Sequence, residues 1–346
     1  MISQTTTHAR HPRPSRPQWW RRRRARAAAL SLTVTLTASA ASGLAATPAW
    51  AADGYRVTAY IGAGQYPAGI AVNPDGTRAY VVNSANRGSL MVINTATNRV
   101  TATIGAYYPD GVAVSPDGSR AYVTNVFLNS VSVFNTATNQ VIATIGVGNY
   151  PGPVAVSPVG TRAYVVNDSN PGTVSVINTA TNQVTATIGV GDYPDGVAVS
   201  PNGARAYVTN NLDDTVSVIN TATNQVIATI PVSSYPQDVA VSPNGSRAYV
   251  TLFNGTVAVI NTATNQVATT FDVSGGAGAV AFSPVGAVAY ITNHTGVAVI
   301  GTATNHVVTT IHGVCSPSSV AVSPDGSHIY VANDMLRGSV AVITHQ

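Results

Sequence analysis

The chain contains no lysine and no glutamate: its 17 basic residues are all arginine and its 13 acidic residues all aspartate. Helix surfaces draw heavily on both missing residues, so their absence argues for an all-β protein. It also excludes any mechanism that rests on a glutamate base or a glutamate-ligated metal. A single cysteine, Cys315, rules out an internal disulfide. No G-x-S-x-G elbow, phosphate-binding P-loop or H-E-x-x-H pair occurs. A haem attachment motif and a copper ligand set are absent too, which disfavours an electron-transfer accessory.

The net charge of +4 comes from one end of the chain. Eight arginines precede residue 27, and beyond it nine arginines face 13 aspartates, a balance of −4. Arg21, Arg22, Arg23, Arg24 and Arg26 form a basic run, residues 27–46 are apolar or small, and Ala49-Trp50-Ala51 is an A-x-A cleavage signal. This pattern predicts an export signal over 1–51 and a mature domain over 52–346, secreted or held at the cell surface. Either the general or the twin-arginine route is open. The Ser, Thr and Ala content and the cleavage site argue against a retained anchor, so no transmembrane span is expected after cleavage. The acidic mature balance disfavours a nucleic-acid partner.

The remaining sequence repeats. Tyrosines at 80, 122, 164, 207, 249, 290 and 330 set a period of about 40 to 43 residues. In the second copy, residues 111–114 are an apolar run and Ser115-Pro116-Asp117-Gly118 is a turn. Residues 120–124 are a strand, Val131-Ser132-Val133-Phe134 alternates as a half-buried strand, and 140–145 is a fourth. The second turn, Asn135-Thr136-Ala137-Thr138-Asn139, recurs at 94–98, 178–182, 220–224 and 261–265, and its side chains can bond nearby backbone. The last copy stops before this turn, while residues 55–61 match 98–104. One strand, six sets of four and a final three make 28 strands. The expectation is a seven-bladed β-propeller of four-stranded blades, closed by the N-terminal strand pairing beside residues 338–343, and monomeric.

Tyr122-Val123-Thr124-Asn125 and Tyr207-Val208-Thr209-Asn210, with the two recurring turns, resemble the YVTN-repeat β-propeller family of cell-surface and surface-layer proteins. The resemblance covers nearly all of 55–346 and implies an extracytoplasmic seven-bladed propeller. The same architecture carries lactonases and lyases, so the fold alone selects no chemistry.

Candidate sites follow from what varies. The loops between second and third strands differ in length and chemistry, whereas the turns are nearly constant, so binding is expected on the loop-bearing face. Tyr66, Tyr108, Tyr150, Tyr193 and Tyr235 precede proline at equivalent places in the links between blades. They either stack a sugar or planar ligand near the channel mouth or pack against the neighbouring blade. Asp110, Asp195 and Asp238 follow nearby, as cation ligands or as solvated carboxylates. His294 and His312, with Cys315, are the remaining metal candidates. His306 and His328 belong to the opposite face. The repeated Arg78, Arg120, Arg162, Arg205 and Arg247 read as turn or inter-blade hydrogen-bonding residues. The leading expectation is a non-catalytic binding or scaffold module for a protein or an envelope glycan, with no catalytic residue. The alternative is a metal-dependent lactonase- or lyase-type enzyme holding a divalent cation at the channel mouth.

Overall fold

The computed structural model describes residues 54–85, 87–334 and 338–345, so the expected export segment lies outside the described residues. These residues form 28 strands in seven four-stranded antiparallel sheets, and a single-turn 3-10 segment at Val126–Leu128 is their only helix. No described helix is long and apolar enough to cross a membrane. The outer strand β1 (Tyr55–Gly62) is followed by the first blade: β2 (Pro67–Val72), β3 (Arg78–Asn83), β4 (Gly88–Asn94) and β5 (Arg99–Ala106). β1 itself lies in the seventh blade. It pairs antiparallel with Ser339–His345, from Tyr55 opposite His345 to Gly62 opposite Ser339.

Local chemistry builds each blade. In blade 2 the Gly118 N–H donates to the Ser115 carbonyl at 2.8 Å, with Gly118 at φ +71° where only glycine is unstrained. The Asp117 carboxylate accepts from Ser115 Oγ (2.5 Å) and from the Ser119 N–H (3.0 Å) and Oγ (2.7 Å). In the second turn Asn135 Oδ1 accepts the Ala137 and Thr138 N–H groups, both at 2.9 Å, and Asn139 takes a left-handed φ of 58°. Thr136 Oγ1 then donates to the Gly118 carbonyl at 2.6 Å, tying the two turns together.

The core is not central. It is divided among seven clusters, one at each blade interface. The repeated tyrosine is a core residue of these seams: Tyr80, Tyr122, Tyr164, Tyr207, Tyr249, Tyr290 and Tyr330 are all buried. The remaining residues of the motif are structural as well. Thr124 and Thr209 accept, through Oγ1, the N–H groups of Gly111 (2.8 Å) and Gly196 (2.7 Å), at the bulges that open these inner strands. Asn125 and Asn210 donate from Nδ2 to the third strand, to Ser132 Oγ at 3.0 Å and Ser217 Oγ at 2.9 Å.

The arginine repeat is an inter-blade clamp. Arg78, Arg120, Arg162 and Arg205 donate from Nη1 to the carbonyls of Thr136, Thr179, Thr221 and Thr262 in the following blade, and Arg247 does so to Thr302 at 2.8 Å. Val288 and His328 hold this position in blades 6 and 7. Those seams use other bonds: Tyr55 and Tyr290 hydroxyls meet at 3.3 Å, and Ser318 Oγ donates to the Pro67 carbonyl at 2.6 Å.

Seven outer strands present seven free edges, and there is no lysine or glutamate to guard them. Each carries a bulge at the equivalent place, leaving Thr58, Thr101, Ile142, Thr185, Ile227, Ala268 or Val308 as the extra residue. Where that residue is threonine its Oγ1 donates to the adjoining strand, as in Thr101 to the Val92 carbonyl at 3.2 Å. A regular bulge twists the edge away from a second strand, so geometry does here what charge does elsewhere.

Candidate functional site

The links that enter each inner strand and the loops that leave each second strand meet on one face. The first loop residue donates its N–H to the carbonyl of the link tyrosine: Ser84 to Tyr66 (2.8 Å), Val126 to Tyr108, Asp168 to Tyr150 and Asn211 to Tyr193 (3.1 Å each), and Phe253 to Tyr235 (3.2 Å). Blades 6 and 7 repeat the bond, from His294 to Gly275 (2.9 Å) and from Asp334 to Ser316 (3.3 Å).

This bond demands an unusual backbone. Tyr66, Tyr108, Tyr150, Tyr193 and Tyr235 stand at φ of 59°, 45°, 52°, 49° and 51°. A bulky residue is an outlier there, and a following proline disfavours it further. Strain of this kind costs roughly 1–3 kcal/mol per residue. Ser316 adopts the same conformation, φ 50°, without an aromatic ring. The turn itself therefore does not require an aromatic ring. Tyr66 and Tyr235 are exposed, at 40% and 39%, while Tyr108, Tyr150 and Tyr193 are half-buried.

Two of these tyrosines belong to an aromatic ledge that spans blades 2 and 3. Tyr107 and Tyr108 have ring centroids 5.2 Å apart, Tyr108 and Phe127 4.7 Å, and Phe127 and Tyr150 6.3 Å, all edge-on at 89–90°. Leu128 projects beside them at 56% exposure. A smaller pair, Tyr235 with Phe253 at 6.4 Å, lies across the ring in blade 5. Sequence reasoning singled out Tyr108 and Tyr150 but missed Tyr107, Phe127 and Leu128 as members of one strip. A signal existed: Ala106-Tyr107-Tyr108 replaces the longer Val147-Gly148-Asn149-Tyr150 type of link, placing a second ring where other blades have glycine or a polar residue.

The carboxylates sit apart from this strip. Asp110 and Asp195 occupy the bulges that open their inner strands. Glycine follows each of them, because a Cβ at Gly111 would come within 2.8 Å of the Gly152 carbonyl and one at Gly196 within 2.9 Å of Asp238 Cα. Asp238 stands where those blades have that glycine. The sixth inner strand is short, Val280–Phe282, and Asp238 bridges the gap. Its Oδ2 accepts the Val280 N–H at 3.0 Å and its Oδ1 the Val239 N–H at 2.8 Å. Burial pushes its carboxyl up to about 6 against those two donors.

That value predicts a pH signature. Between about 4 and about 6 the folded state holds a proton that the unfolded chain has released, so stability falls as pH rises through this window. Asp117 and Asp325 work in the opposite sense and lower down. Hydrogen bonds hold both at about 2, so their contribution is lost only as pH falls from about 4. From pH 4 to 7 the native chain is expected to lose on the order of 2 kcal/mol of stability, read as a falling melting temperature. The Asp238→Asn variant should lack that slope, and an identical slope in both would sink the assignment.

His294 and His312 are exposed on adjoining segments: Gly276 faces the His294 ring, and His312 Nδ1 lies 3.4 Å from the Thr295 carbonyl. Cys315 is a free, exposed thiol. Among the described residues no three His, Cys or Asp side chains converge as a metal site would require. In the blade 4 loop the aspartates serve the backbone: Asp213 accepts the Asp192 N–H at 2.8 Å and Asp214 the Tyr235 N–H at 2.6 Å.

Fold and site together define a seven-bladed β-propeller with an aromatic, loop-bearing face. No protein-family model matches the chain, and no curated protein sequence matches it. Among solved structures, a chain of hydrazine synthase from Kuenenia stuttgartiensis is similar, with 26% identity and a TM-score of 0.73 over 81% of this chain and 96% of that one.

Proposed function

We propose that the protein is an exported, YVTN-type propeller whose loop-bearing face binds a component of the cell envelope without catalysing a reaction. The observation that carries this reading is the contrast between frame and ring. The repeated residues of the motif and turns pack the seams or bond the frame, while the variable face carries five tyrosines in a left-handed turn that Ser316 adopts without a ring. Export is supported by the basic run, apolar stretch and Ala49-Trp50-Ala51 site. The similarity to a hydrazine synthase chain supports the fold and brings no chemistry to these residues. A lactonase- or lyase-type reading would need Asp110, Asp195, Asp238, His294 or His312 to gather around a cation, and it draws no support from their placement.

The test is co-sedimentation of mature protein, residues 52–346, with washed envelope fragments of the source cell. A variant carrying alanine at Tyr66, Phe127, Leu128 and Tyr235 is expected to stay in the supernatant while remaining folded, as a cooperative thermal melt would show. Equal sedimentation of both proteins would refute a binding role for this face.

A further inference from the structure

We propose that the ledge formed by Tyr107, Tyr108, Phe127 and Tyr150 is a subsite for a neutral glycan. The proposal rests on the binding reading above and names the ligand class of that face.

Shape is the first argument. Successive rings meet at 89–90°, so they form the walls and floors of shallow slots and not a flat apolar platform. A pyranose presents a C–H face to one ring and an edge of hydroxyls to its surroundings. Amide groups border the rings at the matching level: Asn129 Oδ1 accepts the Tyr150 N–H at 3.0 Å, and its Nδ2 donates to Asn149 Oδ1 at 3.2 Å. Each amide keeps further donor or acceptor capacity for a hydroxyl.

Charge is the second. Segments 105–110, 126–130 and 146–151 contain no arginine, lysine or histidine, and Asp110 is their only acidic residue. Arg87 and Asp168 on the flanking loops are opposite in sign, so with Asp110 the surroundings carry no net positive charge to hold an anionic polymer, and a neutral ligand fits best.

Area is the third, and it decides between a glycan and a protein. Tyr107 at 39% exposure offers roughly 80 Å² of ring surface, and the half-buried rings offer less. The whole strip with Leu128 therefore presents under about 400 Å², half of the roughly 800 Å² that a stable protein partner covers. A few stacked sugars need no more.

The three tryptophans, at 19, 20 and 50, all lie in the export segment. Ligand contacts with mature protein will therefore report on tyrosine and phenylalanine alone. Saturation-transfer NMR of residues 52–346 with cellotetraose, N-acetylated chitotetraose and mannotetraose is the experiment. At least one probe is expected to receive transfer through its C–H face, with affinity falling at least tenfold in Tyr107→Ala and in Phe127→Ala. Val159→Ala, in an exposed turn of the opposite face, should leave affinity unchanged and controls for general loosening. Absence of transfer to all three probes overturns the proposal, as does equal loss from all three variants. Envelope binding that depends on Tyr107 without any oligosaccharide binding would also overturn it, in favour of a protein partner, while leaving the binding role of the face intact.

Discussion

Removal of Tyr55–Gly62 is expected to abolish stable folding of the propeller. β1 supplies the outer strand of the seventh blade, and its ladder runs from Tyr55–His345 to Gly62–Ser339. It also contributes to two seams: Tyr55, 7% exposed, to the cluster between blades 6 and 7, and Ile61, 5% exposed, to the cluster between blades 7 and 1. Burial of two such side chains is worth about 3–6 kcal/mol before the ladder is counted. That is comparable with a whole domain's net stability of about 5–15 kcal/mol. Loss of β1 would also bare the edge of Ser-Val-Ala-Val-Ile-Thr-His at 339–345, a β-branched strand with no acidic or basic guard except His345. Gel filtration and a circular-dichroism melt check the result. Aggregation or a strongly lowered transition is expected. A monomer that melts like the parent would show that β1 is dispensable to the ring.

Much of this architecture was legible because it repeats. Period, turn residues and alternation recur in each copy, so the count of blades and strands followed from Tyr80 and its six equivalents. The Asn-Thr-Ala-Thr-Asn turn announced its own bonding; the arginines read as turn or inter-blade residues, and the structure shows the second. What could not be read depends on backbone geometry or on convergence across blades. Nothing in Tyr-Pro signals a left-handed tyrosine; the usual restriction on a residue before proline points the other way. Asp238 reads like Asp110 and Asp195 in the sequence, one place displaced, yet it is a substitute for a glycine beside a shortened strand. The outer-strand bulges leave no mark because threonine, isoleucine, alanine and valine all occupy the extra position. Tyr107 and Phe127 are 20 residues apart in sequence and meet only through Tyr108 once the loop and link are folded.

A sharp contrast between Tyr207→Ala and Tyr207→Phe is the second large effect. Tyr207 is fully buried in the seam between blades 4 and 5, against Val239, Ala248 and Val250 of the following blade. Truncation to alanine removes a ring from a close-packed interface that cannot collapse without moving a whole blade, a loss of about 3–5 kcal/mol. For a domain of this size that corresponds to roughly 10 °C in Tm. The hydroxyl is another matter. It is buried and has no hydrogen-bond partner in the structure, so its desolvation is uncompensated. Tyr207→Phe should therefore match the parent within about 1 kcal/mol or exceed it. Thermal melts of the two variants separate packing from polarity at the residue that gives the repeat its periodicity. If phenylalanine proved as damaging as alanine, the tyrosine would be acting through its hydroxyl, and the seam would be a polar network instead of a packed core.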